Sequence, residues 1–503
     1  MRTTLYIILI LSMSLMAACE PSLPSSADAN GKKANVKPEY DGAVLPPNIS
    51  PTNFMVCEEA DEYVVHIFSM KSEEEILLSG NVADIPIDKW HSLLDDSKGD
   101  TVCTDVYVKR EGKWEKFNTI RNPIALEEMD PYITYRLIEP SYEYYNTLTL
   151  NERNLTNFEE RVIYSNDMMN SHGKMQCVNC HIPRNHYKDG RSNFHVRQTK
   201  GGTVIIQGED VRKVNLKTDS TLSAGVYAAW HPEHNLIAYS VNKTGQMFHT
   251  RNRQKIEVID YGSDLILYDV DKNKVYSIDR RKDEYETFPA WSPDGKTLYY
   301  ASAHFEQQTN SVERELTPQF QSLKYNIYSR KFDASSLIFG KREDVVLADS
   351  LGKSAAFPRV SPDGRYLLFS MGDYGQFHVW HKSSDLYVKD LLTGEVRPLE
   401  AANTKSTESY HTWSSNGRWI MFTSRRDDEN YTRLYISYFD EQGIAHKPFI
   451  LPQRNPLRDT ELLKSYNVPE WMVSPVKPSI TELTDVISSD AVDASYGTLQ
   501  IEE

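Results

Sequence analysis

Four segments of this chain repeat one pattern, and that repetition limits its fold more than any other feature. They read AAWHPEHNLIAYS (228–240), PAWSPDGKTLYYAS (289–302), PRVSPDGRYLLFS (358–370) and HTWSSNGRWIMFTS (411–424). Each sets a turn between two short apolar strands. In two of them the turn is Pro-Asp-Gly, in which proline presets φ, aspartate closes the turn through its side chain, and glycine takes the left-handed position. A second hairpin follows every copy: DLILYDVDKNKVYSID (264–279), YNIYSRKFDASS (325–336), SDLYVKDLLTGEVRPLE (384–400) and TRLYISYFDEQGIAHKPF (432–449). Four strands per repeat is the pattern of a β-propeller blade. GGTVIIQGEDVRKVNL (201–216) reads as part of another, which gives five or six blades over 201–455. Successive copies lie 53 to 69 residues apart, so loops such as 303–323 must project. The repeated tryptophans and aspartates read as core and turn residues.

The whole chain reads as mostly β, in two or three domains. Residues 48–137 carry two strand pairs, NFMVCEEADEYVVHIFS and TVCTDVYVKREGKWEKFNTI, with an REGK turn in the second. A sandwich of immunoglobulin-like size is expected there. Cys57 and Cys103 sit one in each pair; an oxidising compartment would allow them to bond, and small buried core residues are the alternative. Residues 138–200 read as a short helical or loop segment between two β regions, with Leu148, Leu150 and Leu155 near Phe158 at helix-compatible spacing. Residues 456–503 contain one apolar stretch, SYNVPEWM, and are otherwise acidic and Ser-rich, so this tail is expected to fray.

The amino terminus addresses the compartment. One cation, Arg2, precedes an apolar run from Leu5 to Met16, too short to span a bilayer core of roughly 30 Å. Leu15-Met16-Ala17-Ala18-Cys19 resembles a bacterial lipobox, which implies cleavage of residues 1–18 and acylation of Cys19. An ordinary secretory signal is the alternative. Several acyl chains would anchor the protein to a membrane. Residues 19–47 then read as the lipidated cysteine and a flexible tether rich in Pro, Ser, Ala, Asn and Gly. A net charge of −15 excludes the basic face that a nucleic-acid partner needs.

Cys177-Val178-Asn179-Cys180-His181 has the spacing of a c-type haem attachment site, in which two thiols bond the haem vinyls and the next histidine reaches the iron. On this reading the chain carries one covalent haem c on Cys177 and Cys180, with His181 as proximal iron ligand. Candidates for the distal ligand are His195 first, then His186, with His172, Met168, Met169 and Met175 also near. Arg197 is placed to pair a propionate. Two other chemistries use similar residues. A redox dithiol needs a βαβ unit that the flanking sequence does not supply. A zinc site would recruit His186 and His195 beside the two cysteines.

The WSPDG-like hairpin, recurring over about half the chain, resembles the TolB-type propeller. Together with the lipobox, the β-domain and the CxxCH, including PPNISPTNF and FHVRQTKGGTVI, it is similar to a family of Gram-negative cell-envelope lipoproteins that combine a TolB-like propeller with one haem c motif. The resemblance implies a membrane-anchored protein facing the periplasm or the cell surface. It would pass single electrons to or from a protein docked by the propeller. One alternative is a non-redox propeller scaffold or binding module of an envelope complex. Another is a peroxidase-like haem enzyme with an open iron position. A propeller-capped peptidase is not expected, since the sequence has neither the G-x-S-x-G elbow nor residues for a hydrolase domain.

Overall fold

In three successive copies the repeated turn closes a hairpin, because Ser292, Ser361 and Ser414 bond Asp294, Asp363 and Asn416 two residues on and hold the chain reversal. The structure is a computed structural model and describes residues 21–139, 147–169, 176–198, 200–251, 254–279 and 281–501. Within them, six sheets each contain a four-stranded antiparallel meander. Five begin in chain order with the inner strands Cys177–Pro183, Val226–Trp230, Glu284–Trp291, Ser354–Val360 and Glu408–Trp413, here blades 1 to 5. Blade 6 joins the two ends of the chain: its inner strand is Ser465–Met472, and its outer three are Tyr132–Ile138, Leu148–Asn154 and Glu160–Ser165. The six inner strands touch their neighbours in a closed ring. This is a β-propeller.

No single core holds the ring together. Apolar wedges fill the spaces between successive blades, such as Ile205, Trp230, Ile237 and Tyr268 between blades 1 and 2. Another wedge sets Leu265, Trp291, Leu298 and Phe332 between blades 2 and 3. Tryptophans staple these seams, with Trp291 Nε1 donating to the Ala229 carbonyl and Trp413 Nε1 to the Arg359 carbonyl, both at 3.1 Å.

Several sequence expectations are corrected. The segment 138–200 is not a helical or loop insert: its described residues form strands 148–154, 160–165, 177–183 and 191–197, with one short 3-10 turn, Arg184–Tyr187. The leucines taken at helical spacing alternate in a strand, Leu148 and Leu150 facing one core. SYNVPEWM belongs to blade 6. The tail beyond it is ordered rather than frayed. Helix Ile480–Ser488 opens with a Ser479/Glu482 capping box and buries Leu483 and Ile487. Val492–Asp493 and Ser495–Gly497 then add parallel strands to the outer edges of blades 1 and 2, and Ile501 bridges to Phe339 on blade 3. The tail is a strap over three open edges, which removes their pairing potential.

The amino-terminal region differs from an immunoglobulin-like sandwich. It has a six-stranded sheet that includes a parallel pair, Asp28–Lys33 with Lys113–Asn118. A three-stranded sheet and the helix Ile87–Asp96 complete it. Residues 28–45, expected in the tether, supply two of its strands and the buried Tyr40, Ala43 and Leu45. Its core runs on into blades 5 and 6 through Trp419, Leu434, Ile436 and Trp471. Cys57 and Cys103 are both free thiols, so the possible disulfide is not formed. Cys103 Sγ instead accepts from Arg121, 3.4 Å away. Among the described residues no helix is long and apolar enough to cross a membrane.

Candidate functional site: the propeller axis

Every inner strand carries one extra residue at the same height. The pairing register slips there in all six blades. At each slip a non-glycine residue takes positive φ: Cys180 (55°), Tyr227 (50°), Phe288 (53°), Phe357 (56°), Tyr410 (28°) and Val468 (46°). Such a conformation costs about 1–2 kcal/mol, and a bulge re-aims a side chain. Here the bulges turn one residue per blade towards the axis. CHIPRN, 180–185, is therefore the blade-1 counterpart of FPAWSP, 288–293. The CxxCH lies inside the repeat, in a strand and not on a helical turn.

The bulge residues surround an axial cavity of about 340 Å³. Cys180, His181 and His195 line it, as do Arg136, Arg197 and Arg359, and among the described residues no carboxylate lines it. Tyr227, Phe288, Phe357 and Tyr410 form aromatic walls. Cys177 is buried and does not line it. It pairs with Arg197 two positions from the Asn179–His195 pair, so it shares their face of the sheet, and Asn179 Nδ2 donates to its Sγ at 3.1 Å.

Burial sets the protonation of the site. His181, His195 and His411 are pushed down to about 3, first by desolvation and then by nearby guanidinium groups, so all three are neutral imidazoles. Nδ1 of His195 meets Thr203 Oγ1 at 3.1 Å, and Nε2 of His411 meets the Phe357 carbonyl at 2.7 Å. His181 Nε2 is buried with no hydrogen-bond partner, as is His411 Nδ1. Burial also pushes the Cys177 and Cys180 thiols up. Raised thiols are poor nucleophiles, and no βαβ unit surrounds them, which counts against a redox dithiol.

The axis is interrupted below this cavity. Arg359 pairs with Glu470 at 2.6 Å, and Thr412 Oγ1 donates to the same carboxylate at 3.1 Å. Beyond them a second chamber of about 440 Å³ is lined by Trp230, Trp291, Trp413 and Trp471. His186 opens on that chamber and lies 3.8 Å from Asp130. It is thereby separated from His195, which corrects its place as a distal-ligand candidate and disperses the zinc set. Among the described residues no three His, Cys, Asp or Glu side chains are grouped to hold a metal ion. Met168 is exposed, and neither it nor the half-buried Met169 lines the cavity. His172, Met175 and Cys19 lie outside the described residues. Sequence reasoning missed His411, Arg136 and Arg359. His411 follows its bulge residue as His181 does, so aligning copies on that residue would have found it.

No protein-family model matches the sequence, and no curated protein matches it. Solved structures do. TolB from Acinetobacter baumannii is similar at 12% identity and a TM-score of 0.41, over 73% of this chain and 78% of that one. An oligogalacturonate lyase from Vibrio parahaemolyticus is similar at 14% identity and a TM-score of 0.36, over 83% and 100%. The β-propeller domain of the Trilobed protease from Pyrococcus furiosus is similar at 12% identity and a TM-score of 0.32, over 71% and 96%. At these identities the likeness is one of fold only.

Proposed function

We propose that this chain is a binding propeller whose axial cavity takes an amphipathic anion. The lining carries the reading: guanidinium groups beside aromatic walls, with no carboxylate among the described lining residues, in a chain of net charge −15. Arg359 is matched by Glu470. Arg136 donates to the Asn467 side-chain oxygen at 2.8 Å and to the Val178 carbonyl at 3.3 Å, which holds its fork at the cavity wall. Guanidinium forks suit carboxylate or phosphate oxygens, and dry aromatic walls strengthen the pairing. The lipobox-like start supports an envelope protein anchored through Cys19, with the propeller docking a protein partner. The probe is 8-anilinonaphthalene-1-sulfonate, an aromatic anion. One site should appear by fluorescence titration, weaken at least tenfold in Arg136→Met, and accept the uncharged N-phenyl-1-naphthylamine poorly. Binding indifferent to Arg136→Met and to probe charge would refute the reading.

A second reading is favoured by one specific departure. Where the other blades carry Tyr, Phe or Val followed by Ala, Pro or His, blade 1 carries Cys180-His181, with an orphaned buried Nε2. These residues fit a haem c. Cys180 at the cavity and the buried Cys177, on the sheet face that carries Asn179 and His195, would hold it, His181 would ligate the iron, and His195 is the distal candidate. The group would supply one-electron exchange. The chain's own part is to keep both imidazoles neutral, exclude water with the aromatic walls, and offer Arg136 and Arg197 to the propionates. Expression with haem-maturation machinery, haem staining of a denaturing gel and a pyridine haemochrome spectrum test it. One covalent haem lost in Cys180→Ser supports it; no stain where a control cytochrome matures refutes it.

A further inference from the structure

The middle hairpin of blade 2 is longer than its fold requires. Its strands, Leu236–Phe248 and Ile256–Asp269, run 13 and 14 residues, against 7 and 6 for the matching strands of blade 4. Asn242, Thr244, Gln246 and Val258, along its extension, line the axial cavity. Past blade 3, its far end meets the loop after strand Tyr366–Gly372 of blade 4.

That junction is built around one carboxylate. Glu257 is 2% exposed. Its Oε2 accepts from His381 Nε2 at 3.0 Å, and its Oε1 accepts from Tyr374 OH at 2.8 Å, both from blade 4. From the hairpin itself, His249 Nε2 lies 3.0 Å from Oε1, and Gln254 Nε2 also donates there. The His381 and Tyr374 rings pack with centroids 4.6 Å apart. Phe377, in the same loop, lines the cavity. Between the two blades the hairpin rests on the blade-3 insertion through Lys243–Glu313 at 2.6 Å and Tyr261–Thr317 at 2.7 Å. Burying a carboxylate is unfavourable unless donors surround it, and strand pairing alone needs no such group at a hairpin end.

We propose that this hairpin is a lid on the axial cavity, and that Glu257 is the positioning residue that latches it to blade 4 through His381 and Tyr374. The proposal rests on the reading of the cavity as a binding site. Entry to the cavity is then governed by an inter-blade contact remote from Cys180.

Cys180 itself provides the readout, since it lines the cavity while Cys57 and Cys103 lie in the amino-terminal region. Haem-free protein is alkylated with iodoacetamide, and each cysteine's rate is followed by peptide mass spectrometry. Glu257→Gln removes the charge from the latch. Hydrogen bonds to a charged group contribute about 1.5–3 kcal/mol, so the Cys180 rate should rise roughly tenfold or more. Tyr374→Phe, a milder change, should raise it less and in the same direction. Rates at Cys57 and Cys103 should hold. An unchanged Cys180 rate in both variants overturns the lid, and so does a rise shared equally by all three cysteines. Loss of anilinonaphthalene sulfonate binding from wild-type protein, with the Cys180 response intact, would sink the binding-site reading and leave the lid standing.

Discussion

Replacing Arg359 by Met should destabilise the propeller by about 3 kcal/mol at pH 7 and by much less at pH 5. Glu470 is 5% exposed, and its carboxyl is pushed up by burial, with Arg359 and a hydrogen bond from Thr412 opposing the rise. Arg359 forms an ion pair with it at 2.6 Å. At an effective dielectric of about 20, two charges roughly 4 Å apart attract by about 4 kcal/mol. Removing the cation does not forfeit all of it, because Glu470 can take a proton instead. With a carboxyl of ordinary value 4.5, protonation at pH 7 caps the cost near 1.36 × 2.5, or about 3.4 kcal/mol. The sign follows from linkage. A carboxyl raised on folding loses stability as pH rises above its unfolded value, so the cap falls to roughly 0.7 kcal/mol at pH 5. Urea unfolding followed by tryptophan fluorescence suits the test, because Trp230, Trp291, Trp413 and Trp471 line the chamber beside the pair. Arg359→Met/Glu470→Gln should recover most of the loss at pH 7. An equal deficit at both pH values, or no recovery in the double variant, would refute the reasoning.

Three further outcomes are expected. Lys213→Met removes the ammonium group that donates to the Ile487 carbonyl at 2.6 Å, the Lys200 carbonyl at 3.1 Å and the Ser489 carbonyl. Amide exchange over residues 480–497 should then accelerate tenfold or more, with blades 4 and 5 unaffected. Because Cys57 and Cys103 are free thiols, dithiothreitol should leave their region's melting temperature within about 1 °C; a bond there would show a loss of 2–5 kcal/mol on reduction. Cys19→Ser should move the protein from the membrane to the soluble fraction of a Gram-negative host; retention on the membrane would refute lipid anchoring at that residue.

Blades 2 to 5 were legible because their inner hairpins repeat locally: Pro-Asp-Gly in blades 3 and 4, Ser-Asn-Gly in blade 5 and His-Pro-Glu-His in blade 2 each sit between two short apolar strands. Blade 1 was legible only in its outer hairpin, 201–216, and blade 6 not at all, for two physical reasons. Their inner copies, CHIPRN and VPEWMVSP, are not followed at once by the short apolar strand that closes the hairpin in blades 2 to 5, and blade 6 takes its strands from opposite ends of the chain, a pairing no linear scan exposes. The tail was misread for a related reason. Its order comes from the strand edges it covers and from helix Ile480–Ser488, which docks Leu483 and Ile487, not from its acidic composition. The candidate site was half legible. Cys180, His181 and His195 stand in the cavity together, whereas Arg136, Arg359 and His411 come from three other blades. The residue to align on is the one at the bulge and not the tryptophan three positions later. Set in that register, Cys180, Tyr227, Phe288, Phe357, Tyr410 and Val468 fall in one column. The CxxCH then ceases to be an isolated motif in a loop. It becomes the one copy of a six-fold repeat in which a thiol stands where its siblings place an aromatic ring or a valine. A repeat departs from its own consensus where something other than folding selects the residue, so the departure at 180–181 marks the axis of blade 1 as the place to test first.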